Sequence, residues 1–122
     1  MPKATILNVD DDENLQSVVG HYLEEDGYRV LQAHSGKELN ERLHASNADI
    51  ILLDNMTPAT VRQAVRLIKG RAVVEVSGGI TLKNVRAMAA AGPNRISVGA
   101  LTHSAPAATL SLVLEPRRRP RT

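Results

Sequence analysis

The sequence predicts a single α/β domain built on a parallel sheet. Short runs rich in Val, Ile and Leu alternate with longer stretches in which apolar residues recur every three or four positions, which is the pattern of alternating strands and helices. The chain of 122 residues is long enough for one such domain with its own core. It is too short for an eight-stranded α/β barrel, which needs about 250 residues.

Five segments are predicted to be strands because branched apolar residues dominate them. In chain order they are Thr5–Val9, Arg29–Ala33, Ile50–Leu53, Ala72–Val76 and Arg95–Val98. A helix-length segment separates each strand from the next, so consecutive strands are expected to run parallel and to be joined by right-handed crossovers.

The first crossover is predicted to be an amphipathic helix that ends at Gly27. Acidic residues in its first turn suit the positive end of the helix dipole. The apolar stripe of this helix follows helical spacing and consists of Leu15, Val18, Val19, Tyr22 and Leu23.

A second helix is predicted after the third strand. Thr57 before Pro58 is a typical N-cap with proline at the first helical position, and Gly70 ends the helix. Its predicted inner face consists of Val61, Ala64, Val65 and Ile68.

The helix after the fourth strand is expected to start at Thr81 or a neighbour. Gly92 followed by Pro93 closes it. Its predicted inward face consists of Leu82, Val85, Met88 and Ala89.

The chain is not expected to carry a full final helix. The segment THSAPAATLSLVLEP is short and is interrupted by Pro106. Two outcomes stay open, an incomplete helix or an extended piece. In either case part of the sheet would stay uncovered, which favours a homodimer through that face or by strand exchange.

Composition argues against several classes of protein. There is no Cys, hence no disulfide or thiolate metal site, which fits a cytoplasmic protein. No apolar run approaches the roughly 18 residues of a membrane span, and the N-terminus lacks a signal-peptide pattern.

The net charge of +2 depends on residues 116–122, which are predicted to be a basic disordered tail. The pI of 9.3 therefore predicts no specific nucleic-acid partner. The spacing of the four histidines does not suggest a zinc site.

The N-terminal part of the chain resembles the receiver domain of response regulators. The residues that carry this resemblance are ATILNVDDDENLQSVVGHYLEEDGYRVLQAHSG, which ends at Gly36. Together with the crossover rule, the resemblance implies a flavodoxin-like, doubly wound α/β fold with the strand order 2-1-3-4-5.

The receiver resemblance implies a phosphorylation site where the strands end. Asp54 matches the phosphoacceptor, and Asp10 and Asp11 match the acidic pair that holds Mg²⁺ together with it. Ser77 falls where receivers place a switch hydroxyl. The sequence departs from the family at the end of the fifth strand, where receivers carry a lysine and this chain has glycine and alanine. Charge on a phosphorylated Asp54 would therefore be less stabilised.

From about Asp49 onward the chain resembles the last part of quinolinate phosphoribosyltransferase. Three motifs carry this resemblance in order, DIILLDNMTP, EVSGGITLKNV and ISVGALTHSAP. Residues 37–48 fit either family, so the junction is expected between 37 and 54. We therefore predict one domain over 1–115, receiver-like over 1–48 and half-barrel-like over 49–115. A deliberate chimera is the simpler account of such a join.

The second resemblance implies a phosphate site and part of an active site. Glycines at strand ends let backbone N–H groups approach an anion, and a helix starting at Thr81 would direct its positive end there. The matched phosphate-binding residues are Ser77, Gly78 and Gly79 in one turn and Gly99 and Ala100 in another. The matched acidic residues are Glu75 and Asp54. The family also needs basic residues from its N-terminal domain and earlier barrel strands, so no turnover is expected here.

Three functions stay open. The first is a chimeric scaffold without turnover, which requires no cofactor and retains phosphate binding. The second is an atypical receiver phosphorylated on Asp54 with Mg²⁺. The third is a fragment of the quinolinate phosphoribosyltransferase of NAD biosynthesis.

Overall fold

The computed structural model of the protein describes residues 1–114, except for the side chains of Glu13 and Leu15. The predicted tail at 116–122, and the predicted inward orientation of Leu15, lie outside the described residues. Within the described part, no helix is both long and apolar enough to cross a membrane.

Strands and helices alternate from Thr5 to His103. The strands are β1 (Thr5–Val9), β2 (Arg29–Ala33), β3 (Ile50–Asp54), β4 (Val73–Ser77) and β5 (Arg95–Ile96). The helices are α1 (Glu13–Glu25), α2 (Gly36–Ala45), α3 (Pro58–Ile68), α4 (Val85–Ala90) and α5 (Ala100–His103).

The five strands form one parallel sheet in the order β2-β1-β3-β4-β5. This order confirms the predicted doubly wound, flavodoxin-like fold. The order reverses between β1 and β3, and the carboxyl ends of these strands and their neighbours form one edge of the sheet. In register, Asp54 at the end of β3 pairs with Ser77 at the end of β4.

The main core lies between one face of the sheet and helices α2, α3 and α4. Alternate residues of the central strands point into it, among them Leu7, Ile51 and Leu53, each with no exposed surface. Helix α3 begins as predicted, because the Thr57 hydroxyl accepts a hydrogen bond from the Thr60 N–H at 3.2 Å and Pro58 occupies the first turn.

Among residues 1–114, helix α1 is the element that covers the opposite face of the sheet, and it lies over β1 and β2. Gln16 anchors this helix, because its Nε2 donates to the carbonyl oxygens of Asn8 at 2.8 Å and Ala33 at 2.9 Å. Gln16 is completely buried, and its Oε1 has no hydrogen-bond partner. The sequence analysis did not single out this residue.

The predicted apolar stripe of α1 is only partly correct. Val18 is 53% exposed and Tyr22 is 65% exposed. Helix α5 has only four residues, so no full helix follows β5 to pack against this flank of α1. The final helix is therefore incomplete, as expected, and residues 105–114 that follow it have no regular secondary structure.

Four elements differ in their bounds from their predictions, and of these β3 ends one residue late, at Asp54. Helix α4 begins at Val85 instead of near Thr81, because the side chain of Asn84 accepts a hydrogen bond from the Thr81 N–H and holds the intervening residues in a turn. Leu82 and Ala89, predicted to face inward, are exposed. Strand β5 stops at Ile96, two residues early, and β4 is displaced by one residue.

Glu38 lies near the start of α2 and interacts with His34. Its pKa is lowered because its carboxylate accepts hydrogen bonds from the His34 backbone N–H at 2.9 Å and the His34 ring at 3.0 Å. A lowered folded-state pKa adds stability that is present above the ordinary value of 4.5 and is lost as the pH falls below it.

We therefore expect Glu38→Gln to flatten the acid side of the stability-against-pH curve. Denaturant unfolding at several pH values below neutrality measures this change. Glu41→Gln, on an exposed position of the same helix, is the matched control and should leave the curve unchanged. Equal curves for both variants would contradict the role of Glu38.

Candidate functional site

The loops that follow β1, β2 and β3 form a cleft of about 280 Å³ at the carboxyl edge of the sheet. We name it the aspartate cleft. Asp10, Asp11 and Asp54, the three carboxylates predicted from the receiver resemblance, all line it. Its other lining residues are Val9, His34, Ser35, Gly36, Asn55, Met56, Thr57 and Thr60.

The three carboxylates of the aspartate cleft differ in their surroundings. Asp10 is 2% exposed, and its Oδ1 accepts the Asp12 N–H at 3.0 Å, so it also orders the turn into α1. Asp11 is exposed and Asp54 is half-buried. In the described part of the chain, no three His, Cys, Asp or Glu residues form a group that could hold a metal ion. The Mg²⁺ site stays a prediction.

A second cleft of about 430 Å³ lies beyond β4 and β5, and we name it the glycine cleft. All five residues predicted to bind phosphate line it, although they come from two loops more than 20 positions apart. The full lining is Ser77, Gly78, Gly79, Ile80, Thr81, Ser97, Gly99, Ala100 and His103.

The first loop of the glycine cleft depends on two consecutive glycines. Gly78 has φ +80° and Gly79 has φ +66°, values that side-chain-bearing residues rarely adopt. Asn84 braces this loop from outside the cleft, because its Nδ2 donates to the Gly79 carbonyl at 2.8 Å while its Oδ1 accepts the Thr81 N–H at 2.7 Å. Asn84 is not among the residues predicted to form the site. An Asn three residues after Thr81 is a local turn signal that could have indicated it.

The helix-dipole argument for this loop is wrong. Helix α4 has six residues and begins only at Val85, so the residues just after Gly79 form a turn and not a helix. The backbone N–H groups in the two loops are a better basis for anion binding. Five of them make no hydrogen bond to another described residue, namely those of Gly78, Gly79, Ile80, Gly99 and Ala100.

His103 is a lining residue of the glycine cleft to which the sequence analysis gave no role. Its Nε2 lies 2.9 Å from the position that a Cβ on Gly99 would take, so the ring packs directly on the second loop. Its Nδ1 and the Ser104 hydroxyl are 2.6 Å apart. The lining contains neither Lys nor Arg, so His103 is its ionisable side chain.

The two clefts adjoin at the ends of β3 and β4. The Ser77 hydroxyl, which lines the glycine cleft, donates to Oδ1 of Asp54 in the aspartate cleft at 3.3 Å. Gly78 packs against the same carboxylate, because a Cβ there would overlap Asp54 Oδ1. A ligand in either cleft would therefore lie next to the contact between Asp54 and the loop of Ser77 and Gly78.

The second family-matched acid, Glu75, is placed differently. Its Oε1 accepts a hydrogen bond from the Ser97 hydroxyl at 2.6 Å, and it is absent from the lining of both clefts. Glu75 is opposite Leu52 in the register, so it lies with Asp54 on the sheet face away from the main core. In a closed barrel this face of the strands would line the interior.

Comparison with known sequences finds relatives that are named as nicotinate-nucleotide pyrophosphorylases. The chain is 38% identical over 82 residues to a probable nicotinate-nucleotide pyrophosphorylase (carboxylating) of Bacillus subtilis, an alignment that covers 67% of this chain and 28% of that protein. The chain thus spans little more than a quarter of this relative. A second relative is the CAI-1 autoinducer sensor kinase/phosphatase CqsS of Vibrio cholerae, 35% identical over 65 residues, 52% of this chain and 10% of that protein.

Comparison with solved structures gives the fold. The chemotaxis protein CheY4 of Vibrio cholerae superposes with a TM-score of 0.65 and 23% identity, covering 78% of this chain and 85% of that one. The similar structures are receiver domains of response regulators. The structural comparison confirms the resemblance to receiver domains. The sequence comparison confirms the resemblance to quinolinate phosphoribosyltransferase.

A family model covers most of the chain. It describes the quinolinate phosphoribosyl transferase C-terminal domain and matches residues 7–113. This match runs through the predicted junction at 37–54, so the position of the junction stays a prediction. The fold of the chain is receiver-like. By its sequence, the chain belongs to the quinolinate phosphoribosyl transferase C-terminal domain family.

Proposed function

We propose that this chain is a chimeric scaffold that binds inorganic phosphate or a phosphomonoester in the glycine cleft and has no turnover of its own. The observation that supports it is the meeting of the two family-matched loops in one cleft. Five backbone N–H groups without a partner among the described residues, three hydroxyls and one imidazole suit the oxygens of a phosphate group.

The affinity of this cleft should be modest. Guanidinium and ammonium groups provide the strongest contacts to phosphate, and the lining has neither. We therefore expect a dissociation constant of about 1–10 mM for inorganic phosphate.

The absence of turnover follows from the same placement of residues. Transfer of a phosphoribosyl group would need Asp54 and Glu75 to face a closed, cation-lined site. Here they lie on an open sheet face. The Bacillus relative is named as a nicotinate-nucleotide pyrophosphorylase, and we assign only its phosphate recognition to this chain.

Titration with inorganic phosphate, followed by amide chemical shifts, tests the proposal. We expect saturable shifts in the two glycine loops, and we expect Gly99→Asp to weaken binding at least tenfold because its carboxylate repels the anion. Gly99 has φ −60°, and its added Cβ would displace only the end of the exposed His103 side chain, so the variant should still fold. Gly36→Asp adds the same charge where nothing lies within 4 Å, and it should bind normally. Equal binding by both variants would contradict the proposed site.

A second function has one observation in its favour, the presence of Asp10, Asp11 and Asp54 in one cleft. In that function Asp54 accepts a phosphoryl group with Mg²⁺ as cofactor. Incubation with acetyl phosphate and Mg²⁺, followed by intact-mass measurement, distinguishes the two. Gain of a phosphoryl group that Asp54→Asn abolishes would establish a receiver, and no gain in the intact protein would exclude it.

A further inference from the structure

The sheet face opposite the main core is covered on one half only. Helix α1 lies over β1 and β2, while the four-residue α5 is too short to cover β3 and β4. Ile50, Leu52 and Val73 on that half are each only partly buried. We call this surface the open half-face.

One flank of α1 borders the open half-face. Gly20 packs toward β2, since a Cβ there would lie 2.9 Å from the Gln32 amide nitrogen. Val18 and Tyr22 lie on the flank away from Gly20 and are 53% and 65% exposed. The helix therefore extends the apolar surface of the sheet.

The C-terminal part of the described chain carries a second unpaired apolar surface. Residues 109–114 read TLSLVL, in which Leu110, Leu112 and Leu114 alternate with period two, the pattern of a half-buried strand. These three leucines are 84–89% exposed. No residue of 104–114 is charged. We call residues 109–114 the leucine segment.

We infer that two copies of this chain associate by placing the leucine segment of each on the open half-face of the other. Every residue from 101 to 114 is exposed, so the segment extends away from its own sheet. In a twofold arrangement, the leucine segment of each copy covers the open half-face of the other, so both surfaces are covered in both copies. The segment takes the place beside α1 that a full helix after β5 would occupy.

The buried area is sufficient for this association. The three leucines and the residues they cover would remove on the order of 500 Å² per copy, or about 1,000 Å² in total, which is the minimum for a specific interface. The segment itself carries no charge. Glu75 on the open half-face keeps the hydrogen bond that its carboxylate accepts from the Ser97 hydroxyl at 2.6 Å. The interface is distinct from the glycine cleft, and the inference does not depend on phosphate binding.

Sedimentation velocity on the full chain tests the inference. We expect a concentration-dependent dimer with a dissociation constant of about 10 µM. Leu112→Asp should weaken it at least tenfold, whereas Ser111→Asp, the same charge on the other side of the segment, should change it less than threefold. Tyr22→Asp should weaken the dimer as Leu112→Asp does, with Ser17→Asp, exposed elsewhere on α1, as its control.

Three results would overturn the inference. A wild-type chain that stays monomeric at about 200 µM shows that no dimer forms at useful concentrations. A monomer that Leu112→Asp nevertheless destabilises shows that the segment folds back on its own sheet. A dimer weakened by Leu112→Asp but unchanged by Tyr22→Asp shows that the segment pairs elsewhere, for instance along the edge of β5.

Discussion

Gln16→Glu is expected to lower the free energy of unfolding by about 3 kcal/mol or more at neutral pH. The substitution removes the hydrogen bonds that the amide donates, and it places a charge in a buried site. The Gln16 amide donates to two carbonyl oxygens, those of Asn8 and Ala33, and the residue has no exposed surface. A carboxylate cannot donate, and it would face both oxygens with a negative charge. The existing Oε1 has no donor nearby, so no contact compensates.

Urea unfolding of the two proteins side by side measures this effect. Gln63→Glu makes the same change on an exposed position of α3 and should alter stability by less than about 0.5 kcal/mol. The introduced buried carboxyl should have a raised pKa, so the deficit should shrink as the pH falls and the group becomes protonated. A small deficit that does not depend on pH would show that α1 moves away from β1 and admits water.

Gly78→Ala is expected to destabilise the protein by about 3 kcal/mol, combining the cost of a left-handed backbone with that of a steric overlap. Gly78 has φ +80°, and an added Cβ would lie 2.5 Å from the Asn55 Oδ1 and would overlap the Asp54 carboxylate. Asn55 itself has φ +54° and follows β3 directly, which leaves this loop little room to move.

The matched control is Gly36→Ala. An added Cβ there meets nothing within 4 Å, and the residue is the first of α2, so the variant should be about 0.5–1 kcal/mol more stable. Thermal unfolding compares the three proteins, and the amide shift of Asn55 reports the local displacement. If Gly78→Ala were as stable as the wild type, the close contact between the glycine loop and Asp54 would not exist in solution.

The strand order and the meeting of the loops at the strand ends were predictable from the sequence. Runs of branched residues locate the strands, and the crossover rule with the receiver resemblance gives the order 2-1-3-4-5 that the structure has. Parallel strands place their carboxyl ends at one edge, which is why residues as distant as Ser77 and Ala100 were expected together and line one cleft.

Side-chain contacts between elements were not predictable in the same way. The periodicity of α1 predicts that Val18 and Tyr22 face inward, but both are exposed. Their burial depends on a helix after β5, and α5 has only four residues. A helix from Thr81 was expected because its residues have helical spacing. The Asn84 side chain satisfies the Thr81 N–H instead and stabilises a turn.

The sequence by itself determined the fold class, the strand order and the family, because these follow from hydrophobic periodicity and from motifs that are contiguous in the chain. Only the tertiary structure decided that Gln16 holds α1 to two strands, that His103 packs on Gly99, and that Ser77 joins two clefts. Each of these contacts depends on distances of a few ångströms between side chains and distant backbone, and no local pattern encodes them.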